Sequence, residues 1–227
     1  MRGGFRIEET ERIFTAICSE LDAPSVRNVP DARRIRKKYS RALKNEKPEL
    51  ILELARRFVR QRKYRWIGYE LLASKKEAFG MLGETEVEEL GEGIDSWSTV
   101  DTFARIISGP AWLAGQITDE RIVRWARSED LWWRRAALVS TVALNMRSQG
   151  GKGDVVRTLK ICEMLVDDHE DMVVKAMSWA LRELVVHSSE AVRGFLKTHE
   201  SCLASRVKRE VNNKLVTGLK NPRQKHQ

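Results

Sequence analysis

An all-α fold, its helices stacked as a solenoid with a concave face, is what this sequence predicts, and three observations carry the prediction. Apolar residues recur at helical spacing along nearly the whole chain. No stretch alternates apolar and polar residues for long enough to define a strand. Taken in pairs, the helical segments recur at very roughly 35–45 residues, the period of HEAT-type helical repeats. The 227 residues suit one sizeable core or two small domains. The expected organisation is a single repeat domain over residues 1–220 and a short basic tail, 221–227. An ordinary helical bundle is the second architecture.

The elements can be justified in chain order. Asp95 and Ser96 precede WSTVD, Thr118 precedes DERIVRWA, and Ser128 precedes EDLWW. Each supplies an oxygen that can accept from the open amides of a first helical turn. Gly109-Pro110 and GGKGD (150–154) read as turns between helices. Residues 130–147 carry Trp132, Ala136, Val139, Ala143 and Met146 at spacings of 4, 3, 4 and 3, one stripe of an α-helix. Trp132 on that stripe is expected in the core. Residues 172–186 repeat the pattern with Val173, Ala176, Ala180 and Leu184.

Charge narrows the function classes. The net charge is +9, from 41 Lys and Arg against 32 Asp and Glu. Between Arg33 and Arg65 stand fourteen Lys or Arg and only three acids, Glu46, Glu49 and Glu53. That concentration suits a polyanion, nucleic acid being the commonest, and equally suits a solvated helical face. No apolar run approaches the ~18 residues of a membrane span, so no membrane partner is expected. The opening MRGGFRIEETERIF has no apolar core and predicts no secretory leader, hence a cytoplasmic protein. Cys18, Cys162 and Cys202 lie far apart and read as reduced thiols. The four histidines show no ligand spacing to them, so neither metal nor cofactor is expected. QGGKGD lacks phosphate-loop spacing, and HExxH, GxSxG and a Cys-His nucleophile pattern are absent.

Three stretches set a tryptophan and a charge on one helical face. In SWSTVD, Trp97 and Asp101 are four apart. Asp101 either pairs with Arg105 one turn on or stands as a carboxylate against an aromatic wall. In LWWRRAALV, Arg135 falls among Leu131, Leu138 and Val142, so it needs an anion. Asp101 and a DNA phosphate are the two candidates. Arg134 shares its face with Asp130 and Thr141 and is expected in water. In VVKAMSWALRE, Lys175, Trp179 and Arg182 form a row suited to a sugar-phosphate backbone, or else Trp179 packs between repeats while the cations are solvated.

Together SWSTVD (96–101), SEDLWWRRAALV (128–139) and VVKAMSWALRE (173–183) resemble the AlkD-like DNA alkylation-repair glycosylases, built from HEAT-like repeats. NVPDARRIRKKY (28–39), RKYRWIGYELL (62–72) and SRVKREVNNKL (205–215) extend the likeness over nearly the whole chain. The resemblance implies a glycosylase that excises cationic N3- or N7-alkylated purines from duplex DNA without flipping the base into a pocket; a monomer is the plain expectation. It makes Asp101 the catalytic carboxylate and sets Trp97 and Trp179 against the deoxyribose. Arg135 would contact the backbone. The Lys-Trp-Arg row and the basic segment add Lys175, Arg182, Arg33, Arg34, Lys37, Lys38 and Lys63 as further expected DNA contacts. Two departures stand out: Ser98 where many relatives carry an acid, and the short acidic stretch ETEVEELGEGID (84–95).

The chemistry suits the residues. Breaking an N-glycosidic bond builds positive charge on the sugar. An alkylated purine is already a cation and leaves without a general acid, so one fixed carboxylate suffices. Tryptophan faces attract cations and exclude water. Other readings are a non-catalytic HEAT protein that binds distorted or branched DNA, and a protein–protein scaffold, which fold alone would favour.

Overall fold

The helical periodicity is realised throughout: among the described residues every regular element is helical. The computed structural model describes residues 2–222, with side chains from residue 8 onward. Most of the expected tail, residues 223–227, lies outside that range. The chain divides into two compact units, Met1–Gly93 and Ile94–Gln227.

The first unit is built on α3 (Pro48–Arg60), against which α1 (Arg2–Leu21), α4 (Arg65–Ala73), α5 (Lys76–Phe79) and α6 (Glu84–Gly91) pack. PELILELARRFVR gives α3 an apolar face wide enough to bury Leu50, Ile51, Leu54, Ala55 and Phe58. Phe14 of α1 meets Phe58 edge-on, with centroids 4.9 Å apart. The remaining helix, α2 (Val29–Ala42), rests on α1 and α4 and buries no residue fully. Asn28 caps it by accepting from the Asp31 amide at 3.0 Å, and Pro30 fits the first turn, where no amide donor is needed.

The second unit stacks helical pairs. One layer runs through α7 (Trp97–Phe103), α10 (Leu131–Asn145), α12 (Asp171–Leu184) and α14 (Ser205–Thr217), each packed on the next. The α9 (Asp119–Ala126), α11 (Val155–Met164) and α13 (Ser189–Thr198) helices cover α10, α12 or both. This is solenoid packing, in which each helix buries its stripe on its sequence neighbours. At the centre lies α10, buried on all faces from Arg135 to Asn145. Val173, Ala176, Ala180 and Leu184 of α12 are all fully buried, as their spacing predicts.

Three local expectations change. Gly109-Pro110 is not a turn. The chain continues from α7 through a π-helical turn, Ala104–Ser108, directly into α8 (Gly109–Leu113). Pro110 has no amide to donate four residues back, and a widened turn accommodates that gap. Gly109 meets α10 so closely that a Cβ would stand 2.7 Å from Ala143 Cβ and 2.8 Å from the Ser140 carbonyl oxygen. The cap of α10 is Asp130, which accepts from the Trp132 amide at 2.8 Å, while Ser128 accepts from the Asp130 amide. Trp132, expected in the core, is only half-buried, as is Trp133, whose ring centroid lies 4.8 Å from that of Trp125 and 6.0 Å from that of Phe103.

Candidate functional site

The second unit brings Asp101, Arg135 and α12 together. Ser96 starts α7 with a reciprocal cap: its hydroxyl accepts from the Thr99 amide, and the Thr99 hydroxyl accepts from the Ser96 amide at 3.1 Å. One turn on, Asp101 meets Arg135 of α10 in a two-pronged pair. Arg135 Nε donates to Asp101 Oδ1 and Nη2 donates to Oδ2, both at 2.8 Å. The third nitrogen, Nη1, donates to the Met172 carbonyl oxygen at the start of α12. Of the two anions that the sequence leaves open for Arg135, Asp101 is the one the fold supplies. The arginine side chain is 6% exposed and the carboxylate 18%, so the carboxylate forms the outer end of the pair. Each of its oxygens keeps a lone pair free for a further partner.

Trp97 stands one turn before Asp101 and is 59% exposed, a large indole left open beside a fixed carboxylate. Trp179 is half-buried on α12, and its Nε1 donates to Glu183 at 3.1 Å. The Arg105 guanidinium lies over the Trp179 ring, 5.7 Å from its centroid. Arg105 is therefore not the partner of Asp101, and spacing within one helix could not show that.

The Lys175–Trp179–Arg182 row is only partly open. Lys175 Nζ pairs with Asp171 at 2.6 Å, and this contact holds the Asp171 carboxyl below its ordinary range. Arg182 Nε donates to the Ser178 hydroxyl, which donates to Glu210 Oε2 of α14 at 2.6 Å. Burial would raise the Glu210 carboxyl, but the hydroxyl and the Lys220 ammonium outweigh it and hold the group low. This buried chain fixes α12 against α14 behind the tryptophan. Arg134 is not in water: its Nε donates to Asp168 at 2.7 Å and its Nη1 to the Glu129 carbonyl, capping the segment before α10.

The basic segment of the first unit is more neutralised than its sequence suggests. Acids distant in sequence meet many of its cations: Lys38 pairs with Glu20, Lys63 with Asp22, Arg57 with Glu11, Arg36 with Glu70, and Arg56 with Glu89. Arg34 pairs with Asp31 of its own helix. Among the cations left over is a row on α2. Arg33, Lys37 and Arg41 are exposed at i, i+4 and i+8 and form no ion pair among the described residues. Of the five N-terminal DNA-contact candidates, Arg33 and Lys37 are the ones left unpaired among the described residues.

No curated protein matches the chain in a sequence comparison. The profile of the family described as DNA alkylation repair enzyme does match, over residues 22–215, which reaches into both units and takes in Trp97, Asp101, Arg135 and Trp179. The chain belongs to the family of DNA alkylation repair enzymes, and its role lies in the repair of alkylated DNA.

Proposed function

We propose that the protein is a monofunctional DNA glycosylase that hydrolyses the N-glycosidic bond of cationic N3- or N7-alkylated purines in duplex DNA. The observation that carries this reading is the Asp101 carboxylate, held rigidly by Arg135 with its outer end beside the exposed Trp97. The glycosidic electrons leave with the purine, which departs as a neutral base, and positive charge gathers on the sugar. Asp101 stabilises that charge and accepts a hydrogen bond from the water that attacks C1′. The water's proton passes to solvent. A fixed anion serves this step because it needs no reorganisation when the charge appears. Arg135 lies deeper in the core, so the negative end of the pair faces the sugar. It acts as a positioning residue for Asp101. The exposed Trp97 offers a flat apolar surface to the backbone sugar, and Trp179 offers the part of its ring that Arg105 leaves uncovered, which suits a lesion left in the duplex rather than extruded into a pocket. The α2 row supplies salt-sensitive affinity for the duplex.

The same ion pair favours a second reading. Both carboxylate oxygens are engaged, as they would be in a purely structural pair, and the protein would then bind damaged or distorted DNA without excising a base. Incubating the protein with methylated duplex separates the two. The glycosylase releases free 7-methylguanine or 3-methyladenine and leaves abasic sites; duplex bound without base release supports the second reading.

A further inference from the structure

Arg105 is a half-buried arginine to which the described residues offer no anion. Its Nε is shielded from solvent without a hydrogen-bond partner among the described residues, and its guanidinium lies over the face of Trp179. A guanidinium keeps its charge at any physiological pH, so partial burial without a counter-ion is unfavourable. The acid four residues earlier, Asp101, is held on both oxygens by Arg135. The helix stays regular through Phe103 and Ala104, so Arg105 follows Asp101 by one turn, yet its guanidinium lies over Trp179, and the π-helical turn Ala104–Ser108 widens the helix from this point on. Gln149 Nε2 donates to the Arg105 carbonyl oxygen at 2.6 Å and fixes this turn. Single π turns within helices are frequent at functional sites.

We propose that Arg105 binds a backbone phosphate of the DNA strand whose nucleotide docks at Asp101, with Trp179 as the platform that orients its planar fork. The proposal rests on the DNA-repair reading above. It transfers to Arg105 the phosphate contact that the surroundings of Arg135 on its own helix suggest. A cation on an aromatic face is only partly compensated, and its remaining N–H groups match two phosphate oxygens.

The test is a binding cycle that does not depend on base release. Wild type, Arg105→Ala and Arg105→Lys are titrated between about 50 and 200 mM salt. The duplex carries a tetrahydrofuran abasic site, with or without a single neutral methylphosphonate at each neighbouring phosphate. Arg105→Ala is expected to bind roughly tenfold to a hundredfold more weakly, with the slope of log K against log salt shallower by about 0.9. One methylphosphonate should weaken wild type by a similar factor and leave the alanine variant unaffected, while lysine restores part of the affinity and slope. If the alanine variant does not fold by circular dichroism, the lysine variant on the methylphosphonate series decides. An unchanged slope, additive methylphosphonate losses at every phosphate, or no duplex binding by wild type would overturn the proposal. Base release is scored separately. Coupling without release contradicts the glycosylase reading alone, and release without coupling contradicts the Arg105 assignment alone.

Discussion

At the scale of residues, each of the three guanidinium nitrogens of Arg135 donates to an acceptor supplied by the protein, two of them to Asp101. The arginine is nearly inaccessible, so removing the acid leaves a buried charge, and breaking such a pair costs about 3–5 kcal/mol. Tests of Asp101 therefore use Asn, which keeps one acceptor. A second buried acid carries a pH-dependent prediction. Glu210 is held below its ordinary value of 4.5. A lowered folded-state value contributes stability above the unfolded value, and that contribution is lost as pH falls through the folded one. Glu210→Gln is expected to lose about 1.5–3 kcal/mol at neutral pH, the range for a hydrogen bond to a charged group. The gap should close in acid melts below about pH 4.5. Asp101, Arg135 and Trp179 were legible as residue types at helical spacing, and the resemblance singled them out. Asp101 was one of the two anions the sequence left open for Arg135, but the Met172 carbonyl that takes its third nitrogen was not legible, because a helical wheel shows only a helix's own neighbours. Arg134, read as solvated, meets Asp168 from the loop before α12.

At the scale of elements, the continuous segment α7–π turn–α8 decides where Asp101 and Arg105 sit. Ser108 and Ser140 share a hydrogen bond of 2.7 Å in the core, and Gly109 lets the backbone close on α10 beside it. Gly109→Ala forces a methyl group against Ala143 and the Ser140 carbonyl, which gives way only by separating the helices. The expected loss is about 1–3 kcal/mol, typical of overpacking, read as a lower urea midpoint with unchanged m-value. The apolar stripes of α10 and α12 were readable because burial repeats with the helical period. Gly-Pro was misread as a turn because both residues usually break helices. Here Pro110 occupies a position where the widened turn no longer needs its amide, and glycine is needed for close approach.

At the scale of the molecule, charge governs the encounter with DNA. Counting cations along the chain overstated the field of the basic segment, because its acids come from α1, α4 and α6. Replacing Arg33, Lys37 and Arg41 of α2 with Gln is expected to lower the salt slope of duplex binding by up to about 2.7, at about 0.9 for each lost phosphate contact. The same change at Lys38 and Lys63, already paired with Glu20 and Asp22, should move it much less. The all-helical fold was legible from its periodicity and the lack of strand alternation, and the family profile over residues 22–215 ties the chain to repair of alkylated DNA. The central claim is that Asp101 stabilises the charge of glycosidic cleavage. It is tested most directly by single-turnover release of 7-methylguanine from methylated duplex by wild type and Asp101→Asn, each first shown to be folded and to bind the duplex. The account predicts release by wild type and a rate at least about 10²-fold lower in the variant, with duplex affinity retained. Equal rates in the two proteins, or no release from wild type, would contradict it.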